Sequence, residues 1–361
     1  MKIKGLLINR GWSDNLGDQA IKLTMEALFN TDSIELDFRD LIKNQNKSAM
    51  KYEIKTKKGK RSLIKHIFKP IINYEVIQKI LWLFKNSNIK KFLKSNNYNF
   101  VIIGGGQLLH SNVLFPIALY AWVNYFKKFN KNAKVILFGV GAVSEYNLQN
   151  KLLLSKVFQS VDIVYVRDYE SIQYLENNFQ IKSYYCPDVV FCVSNFIEKK
   201  MLDHSEKTIL YGITEFERFR KYDKGIFSNE IDYYEFCYEQ LGKYIKEGFK
   251  VKLFYTTVHD KYEVEHFLNF VSSKYQQQYE VAKTYNVQEL ILEIQKSYMI
   301  VSARMHPLII GLSYNKKVVP IEISQKLKSF KALYSSEKFN LREIQNQIAN
   351  SVEEVKEYYL K

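Results

Sequence analysis

Cysteine is scarce. The 361-residue chain has only Cys186, Cys192 and Cys237, and no two of them form a Cys-x-x-Cys pair. A disulfide framework is therefore not expected, and the three read as reduced core residues of a cytoplasmic protein. The six histidines show no metal-ligand spacing such as His-Glu-x-x-His, so no metal site is expected. A Walker A sequence and internal repeats are also missing. The most apolar long stretch, 100–123, is broken by Gly104-Gly105-Gly106, Gln107, His110, Ser111 and Asn112. That fits a strand, a turn and a buried helix better than a membrane span. The opening MKIKGLLINRGW has too short an apolar run for a signal peptide or an anchor.

Negative charge is the second shortage. Fifty-three Lys and Arg stand against thirty-eight Asp and Glu, a net charge of +15. Such an excess suits nucleic acid, an anionic membrane surface, an anionic substrate, or plain solvation in a chain rich in Lys, Asn, Ile and Tyr. Position narrows the choice. Residues 43–69 hold ten Lys and Arg and one acid, Glu53, and so account for nine of the fifteen net charges. An apolar and aromatic stretch with interleaved Lys runs on to residue 84, broken by Pro70. It reads either as a solvated loop entering a core helix or as interfacial helices on an anionic leaflet, a peripheral membrane contact through 43–84. No nucleic-acid motif accompanies it, and none is expected as a partner.

What is present is apolar material for two domains: 47% hydrophobic and 15% aromatic residues over this length. Short β-branched runs alternate with helical patterns. Strands are expected at Ile3–Ile8, Phe100–Ile103, Val135–Phe138 and Ile163–Val166, then at Leu210–Thr214, Val251–Tyr255, Met299–Ser302 and Val318–Ile321. The alternation predicts an α/β protein of two Rossmann-like, doubly wound lobes with a central cleft. The first spans 1–195 and the second 205–335, and an amphipathic helix in 340–361 is free to pack back across both. Ligands of such folds bind at the carboxyl ends of strands, so those residues carry the functional reading.

Four strand ends stand out. Asp18, in Asn15-Leu16-Gly17-Asp18, either caps a helix or faces a ligand. Gly104, Gly105 and Gly106, and again Gly141 in Gly139-Val140-Gly141-Ala142, read as loops whose N–H groups cradle an anion, or as close strand–helix packing. Arg167, at the end of Ile163–Val166, offers a planar fork to carboxylate or phosphate, with a salt bridge to Asp168 as the structural alternative. Arg304 and His306, in Ala303-Arg304-Met305-His306-Pro307, are expected on one side of an extended segment, a cation beside a proton carrier.

Taken in order, Asn-x-Gly-Asp, the Gly-Gly-Gly strand, Val166-Arg167-Asp168, Pro187-Asp188 and Ser302-x-Arg304-x-His306 resemble the polysaccharide pyruvyltransferase family. The resemblance spans about residues 9–330 and implies a GT-B-like fold. It also implies transfer of pyruvate from phosphoenolpyruvate to a sugar, with formation of a ketal, release of phosphate and no cofactor. It matches His306 and Asp18 to catalytic positions, and Arg167, Arg304 and Lys326 to donor-binding ones, Lys326 through Lys326-Leu327-Lys328-Ser329-Phe330. The acceptor it implies is a lipid-linked saccharide at the inner face of the cell membrane. The segment Gly212–Arg218 and the basic insertion after Asp40 depart from the family pattern.

The residues suit that chemistry. A donor bearing a carboxylate and a phosphate calls for several convergent cations, here Arg167, Arg304 and Lys326, with N–H donors from the glycines. Addition of a hydroxyl to C2 needs a proton at C3, which His306 is placed to give. Two other readings remain: a GT-B glycosyltransferase with Glu322 on a nucleotide ribose, and a non-catalytic membrane or nucleic-acid binding protein.

Overall fold

The computed structural model describes residues 5–9, 13–30, 33–36, 42–43, 87–111, 115–199, 207–222, 227–334 and 339–360. Nearly all of the basic segment 43–69, the apolar stretch after it, and hence the expected membrane-contact region lie outside these residues.

The apolar runs form two sheets. The first comprises β1 (Gly5–Asn9), β2 (Ser33–Leu36), β3 (Ile42–Lys43), β4 (Phe100–Leu109), β5 (Lys134–Ala142), β6 (Ile163–Val166) and β7 (Tyr184–Tyr185). Its order is β3-β2-β1-β4-β5-β6-β7, parallel except for the β2–β3 pair. The second comprises β8 (Thr208–Gly212), β9 (Lys250–Phe254), β10 (Glu280–Val281), β11 (Met299–Ser302) and β12 (Lys317–Pro320). It runs β10-β9-β8-β11-β12 and is wholly parallel. Two doubly wound lobes meeting at a cleft make this the expected GT-B-like architecture. In each lobe the strand order reverses beside the first strand, at β1/β4 and at β8/β11, and these reversals open the crevices where ligands bind.

Burial on both faces explains why the strands are apolar throughout. Leu6 and Ile8 of β1 join Val101 and Ile103 of β4 in one core. Leu7 joins Phe100 and Ile102 in the other, as side chains alternate across the sheet. That second core is shared. It continues through the helix Leu16–Phe29, the 3-10 helix Val189–Asn195 and the apolar interior of the second lobe. The last helix, Leu341–Leu360, returns to the first lobe with Ile348, Val352 and Val355 buried. There Tyr165 donates its hydroxyl proton to Glu354 Oε2 at 2.6 Å, and the Gln345 amide donates to the Phe191 carbonyl at 2.9 Å.

The glycine segments differ from expectation. Gly104, Gly105 and Gly106 lie inside β4 and pair with β5 at Gly104↔Phe138 and Gly106↔Val140, while the next helix begins only at Phe115. Gly141 likewise belongs to β5. Neither segment is a loop at a helix start, so the expected N–H cradle is not formed. The glycines instead admit the helix Leu16–Phe29 to the sheet. Gly105 has φ +80°, and a Cβ there would stand 1.9 Å from Ile21 Cγ2. Overpacking and a left-handed backbone act together at this point. Gly105→Ala is expected to destabilise the fold by about 2–4 kcal/mol. Denaturant unfolding measures this, and an unchanged midpoint would contradict the packing role.

Candidate active site

The segment Pro187-Asp188 leads into Val189-Val190-Phe191-Cys192-Val193, each of these five at most 2% exposed. Asp188 caps this 3-10 helix, its Oδ1 accepting from the Val190 N–H at 3.2 Å, and is buried along with it. Its other oxygen meets both lobes. Oδ2 accepts from Arg167 Nη1 at 2.9 Å and lies 3.4 Å from His306 Nε2. Burial draws the Asp188 carboxyl upward, but the His306 imidazole and the Arg167 guanidinium outweigh it and hold the group well below the usual carboxylate range. Arg167 Nε and His306 Nε2 are themselves buried without a hydrogen-bond partner among the described residues. Polar atoms in that condition are costly unless a ligand meets them.

Arg167 follows β6 as expected, but its partner is Asp188. Asp168 is occupied as the cap of the helix Tyr169–Phe179, its Oδ1 accepting from the Ser171 N–H at 2.8 Å. Lys326 sits in the first turn of the helix Gln325–Tyr334. Arg167, Asp188 and Lys326 line one cavity of about 220 Å³, closed on the second-lobe side by Met305 and Ile309. Lys326 lines this cavity with part of its side chain exposed and the rest set among neighbouring protein. Desolvation, followed by repulsion from Arg167, pushes its ammonium from 10.5 down to about 7.

Arg304 does not join them. The chain turns helical at Met305, with Pro307 in the first turn of the helix Met305–Ser313, so the expected alternation ends before it reaches His306. Arg304 turns to the buried Asp260 in its own lobe, Nε to Oδ2 at 3.0 Å and Nη2 to Oδ1 at 2.5 Å, with Glu215 Oε1 at 3.6 Å. The two carboxylates already meet its charge. Two of the three expected cations therefore share the cavity, and the third braces the strand end that carries His306. Glu322, the candidate ribose ligand, is ion-paired with Lys331.

The first loop reaches across the cleft. Asn15, rather than Asp18, caps the helix Leu16–Phe29, its Oδ1 accepting from the Gly17 N–H at 3.0 Å. Asp18 stands in the first turn and accepts the Ser13 hydroxyl at 2.8 Å. Leu16 N–H donates to the Thr256 carbonyl at 3.0 Å, and Val258 N–H donates to Asp14 Oδ2 at 2.9 Å. Both bonds join the lobes. Gly17 lies so close to His306 that a Cβ would stand 2.2 Å from its Nδ1. Gly106 borders Asp18, and Gly141 makes room for Arg167, whose Nε a Cβ would approach to 3.3 Å.

In the sequence Pro187-Asp188 stands only as part of the family pattern, with no role for Asp188. A cap residue ahead of an uninterrupted apolar run was the available signal, since such a carboxylate must be buried and must find cations. Gly17 reads in the sequence only as a glycine that lets the backbone approach a ligand, and Asp14 carries no signal, because their partners His306 and Val258 are far along the chain. Among the described residues, no group of three or more His, Cys, Asp or Glu is placed to hold a metal ion. Nor is any helix there long and apolar enough to cross a membrane.

The two parallel α/β lobes and the cleft between them give the chain a GT-B-like fold. A family model described as polysaccharide pyruvyl transferase matches residues 15–325, and the chain belongs to that family. Among solved structures, UDP-GlcNAc 2-epimerase from Methanocaldococcus jannaschii is similar at 10% identity and a TM-score of 0.49, over 96% of this chain and 92% of that one. The ADP-heptose LPS heptosyltransferase II of E. coli gives 12%, 0.40 and 99% of each chain. Sucrose-phosphate synthase from Thermosynechococcus elongatus gives 10%, 0.43, 98% and 94%. A comparison with curated proteins finds no match.

The contact between Gly17 and His306 makes a clean test. Gly17 has no positive φ, so alanine there acts through its methyl group alone. Gly17→Ala is expected to displace the imidazole and lower pyruvyl transfer about a hundredfold, with circular dichroism unchanged. Full activity in that variant would contradict the contact.

Proposed function

We propose that the protein transfers pyruvate from phosphoenolpyruvate to two hydroxyls of one sugar in a lipid-linked surface-polysaccharide precursor, at the inner face of the cell membrane. The product is a pyruvyl ketal and the leaving group is phosphate. One observation carries this reading: Arg167 and Lys326 line a single small cavity whose wall, Asp188, faces His306. A donor with a carboxylate and a phosphate close together matches two cations, and the unpartnered Arg167 Nε–H supplies a further donor.

The residues divide the reaction among them. His306 gives a proton to C3 of the enol, and an oxocarbenium-like centre develops at C2. One acceptor hydroxyl adds to C2, with Asp18 orienting it and taking its proton. Phosphate then leaves C2, and the second hydroxyl closes the ketal. Asp18 passes the first hydroxyl's proton to the departing phosphate, and the second hydroxyl's proton restores His306. Asp188 faces the imidazole at 3.4 Å and keeps it in place. Arg304 acts as a positioning residue through Asp260.

Phosphate release from phosphoenolpyruvate, measured with and without a panel of lipid-linked saccharide mimics, tests the reading. It is expected to depend on the saccharide and to fall at least about a hundredfold in His306→Ala. Release of a nucleotide from a sugar nucleotide instead would refute the donor. Lys326 adds a pH dependence. Between about 7 and 10.5 the folded protein holds fewer protons at this site than the unfolded chain, and an anion reverses that by restoring the ammonium. Donor affinity is therefore expected to fall as pH rises above about 7, by up to about tenfold per unit. Lys326→Arg, charged throughout, is expected to flatten that limb. An equally steep limb in the arginine variant would remove Lys326 from the donor site.

A further inference from the structure

The cavity has a feature that a small anion does not use. Tyr169 and Tyr185 both line it and stack with ring centroids 4.2 Å apart and planes at 18°. Tyr169 has one face on its partner, yet remains 56% exposed. The face of an aromatic ring is negative, so it repels a carboxylate or phosphate. It attracts the weakly positive C–H edge of an uncharged ring, and the axial C–H groups of a pyranose present such a surface. Polar groups border the pair. Gln107 is the single exposed residue in an otherwise buried β4, and its side chain lines the same cavity. Glu170 and Ser329, also lining residues, join the lobes there through a hydroxyl–carboxylate bond of 3.3 Å. Glu170 adds negative charge at this end, which disfavours an anion further and suits sugar hydroxyls as an acceptor.

We propose that the Tyr169–Tyr185 stack is the platform for the acceptor sugar, a neutral pyranose lying on the Tyr169 face with its hydroxyls met by Glu170, Gln107 and Ser329. The proposal rests on the pyruvyl-transfer reading and specifies its second substrate site. One cavity then has two chemistries. Its cationic part, Arg167 and Lys326, takes the anionic donor, and its aromatic part takes the uncharged acceptor. Tyr169 is an acceptor-binding residue and takes no part in proton transfer.

The test is saturation-transfer NMR on the full chain with the methyl β-pyranosides of glucose, galactose, N-acetylglucosamine and N-acetylmannosamine. Titration calorimetry with phosphoenolpyruvate accompanies it. At least one glycoside is expected to receive saturation, strongest on the C–H groups of one ring face. Tyr169→Ala is expected to weaken that binding on the order of tenfold, while Tyr169→Phe, which keeps the ring face, stays within about twofold of the parent. Phosphoenolpyruvate affinity is expected to be the same in both variants. The proposal is overturned if no glycoside receives saturation, if Tyr169→Ala binds like the parent, if the phenylalanine variant loses as much as the alanine one, or if donor affinity falls instead. Failure of phosphoenolpyruvate to bind the parent protein, with Tyr169-dependent glycoside binding intact, would count against the donor reading and leave the platform standing.

Discussion

A single buried carboxylate holds this molecule's working parts in relation to one another. Asp188 Oδ2 lies 2.9 Å from a guanidinium in its own lobe and 3.4 Å from an imidazole in the other. Desolvating a carboxylate and a guanidinium costs several kcal/mol each, which their attraction offsets only while both remain in place. The carboxylate cannot drift, because it also caps a 3-10 helix sunk in the core that both lobes share. The positions of Arg167, His306 and the lobe contact are therefore one problem with one solution.

Around that point the two lobes are joined by direct bonds. Asp14 accepts a backbone N–H at the start of the helix Val258–Tyr275, Leu16 donates to Thr256, and Gly17 receives the His306 ring against its bare Cα. The Arg304–Asp260 pair stiffens the second-lobe side of the same contact. A proton carrier is useful only where it is held to within a fraction of an ångström, and these contacts come from both lobes. The net charge of +15 bears on none of this directly. Two cations, Arg167 and Lys326, line the cavity.

Much of the fold was legible because its signals are local. The runs Ile163–Val166 and Met299–Ser302 are strands with the expected bounds, since a β-branched apolar run closed by Arg-Asp or Ala-Arg has little else to become. The helix Val258–Tyr275 is not legible, because its apolar positions are sparse among charges and its N-terminus depends on Thr257 and on Asp14 of the other lobe. Gly104–Gly106 read as a loop because glycine signals a turn. The pressure comes from Ile21 at Gly105 and from the Phe138 carbonyl and Met25 at Gly104, all far along the chain, and no local pattern reveals it. Arg304 and His306 were legible as a pair, but their directions were not. Asp260 and Asp188, the two carboxylates that draw them apart, lie far from them along the chain.

The central claim is that Arg167, Lys326 and the Asp188–His306 pair together form one donor site. A crystal structure of the protein saturated with phosphoenolpyruvate tests it most directly. The donor is expected in the cavity, its anionic groups hydrogen-bonded to Arg167 and Lys326 and its C3 facing His306 Nε2. Density for the donor at Arg304 in the second lobe, with Arg167 and Lys326 uncontacted, would contradict the account.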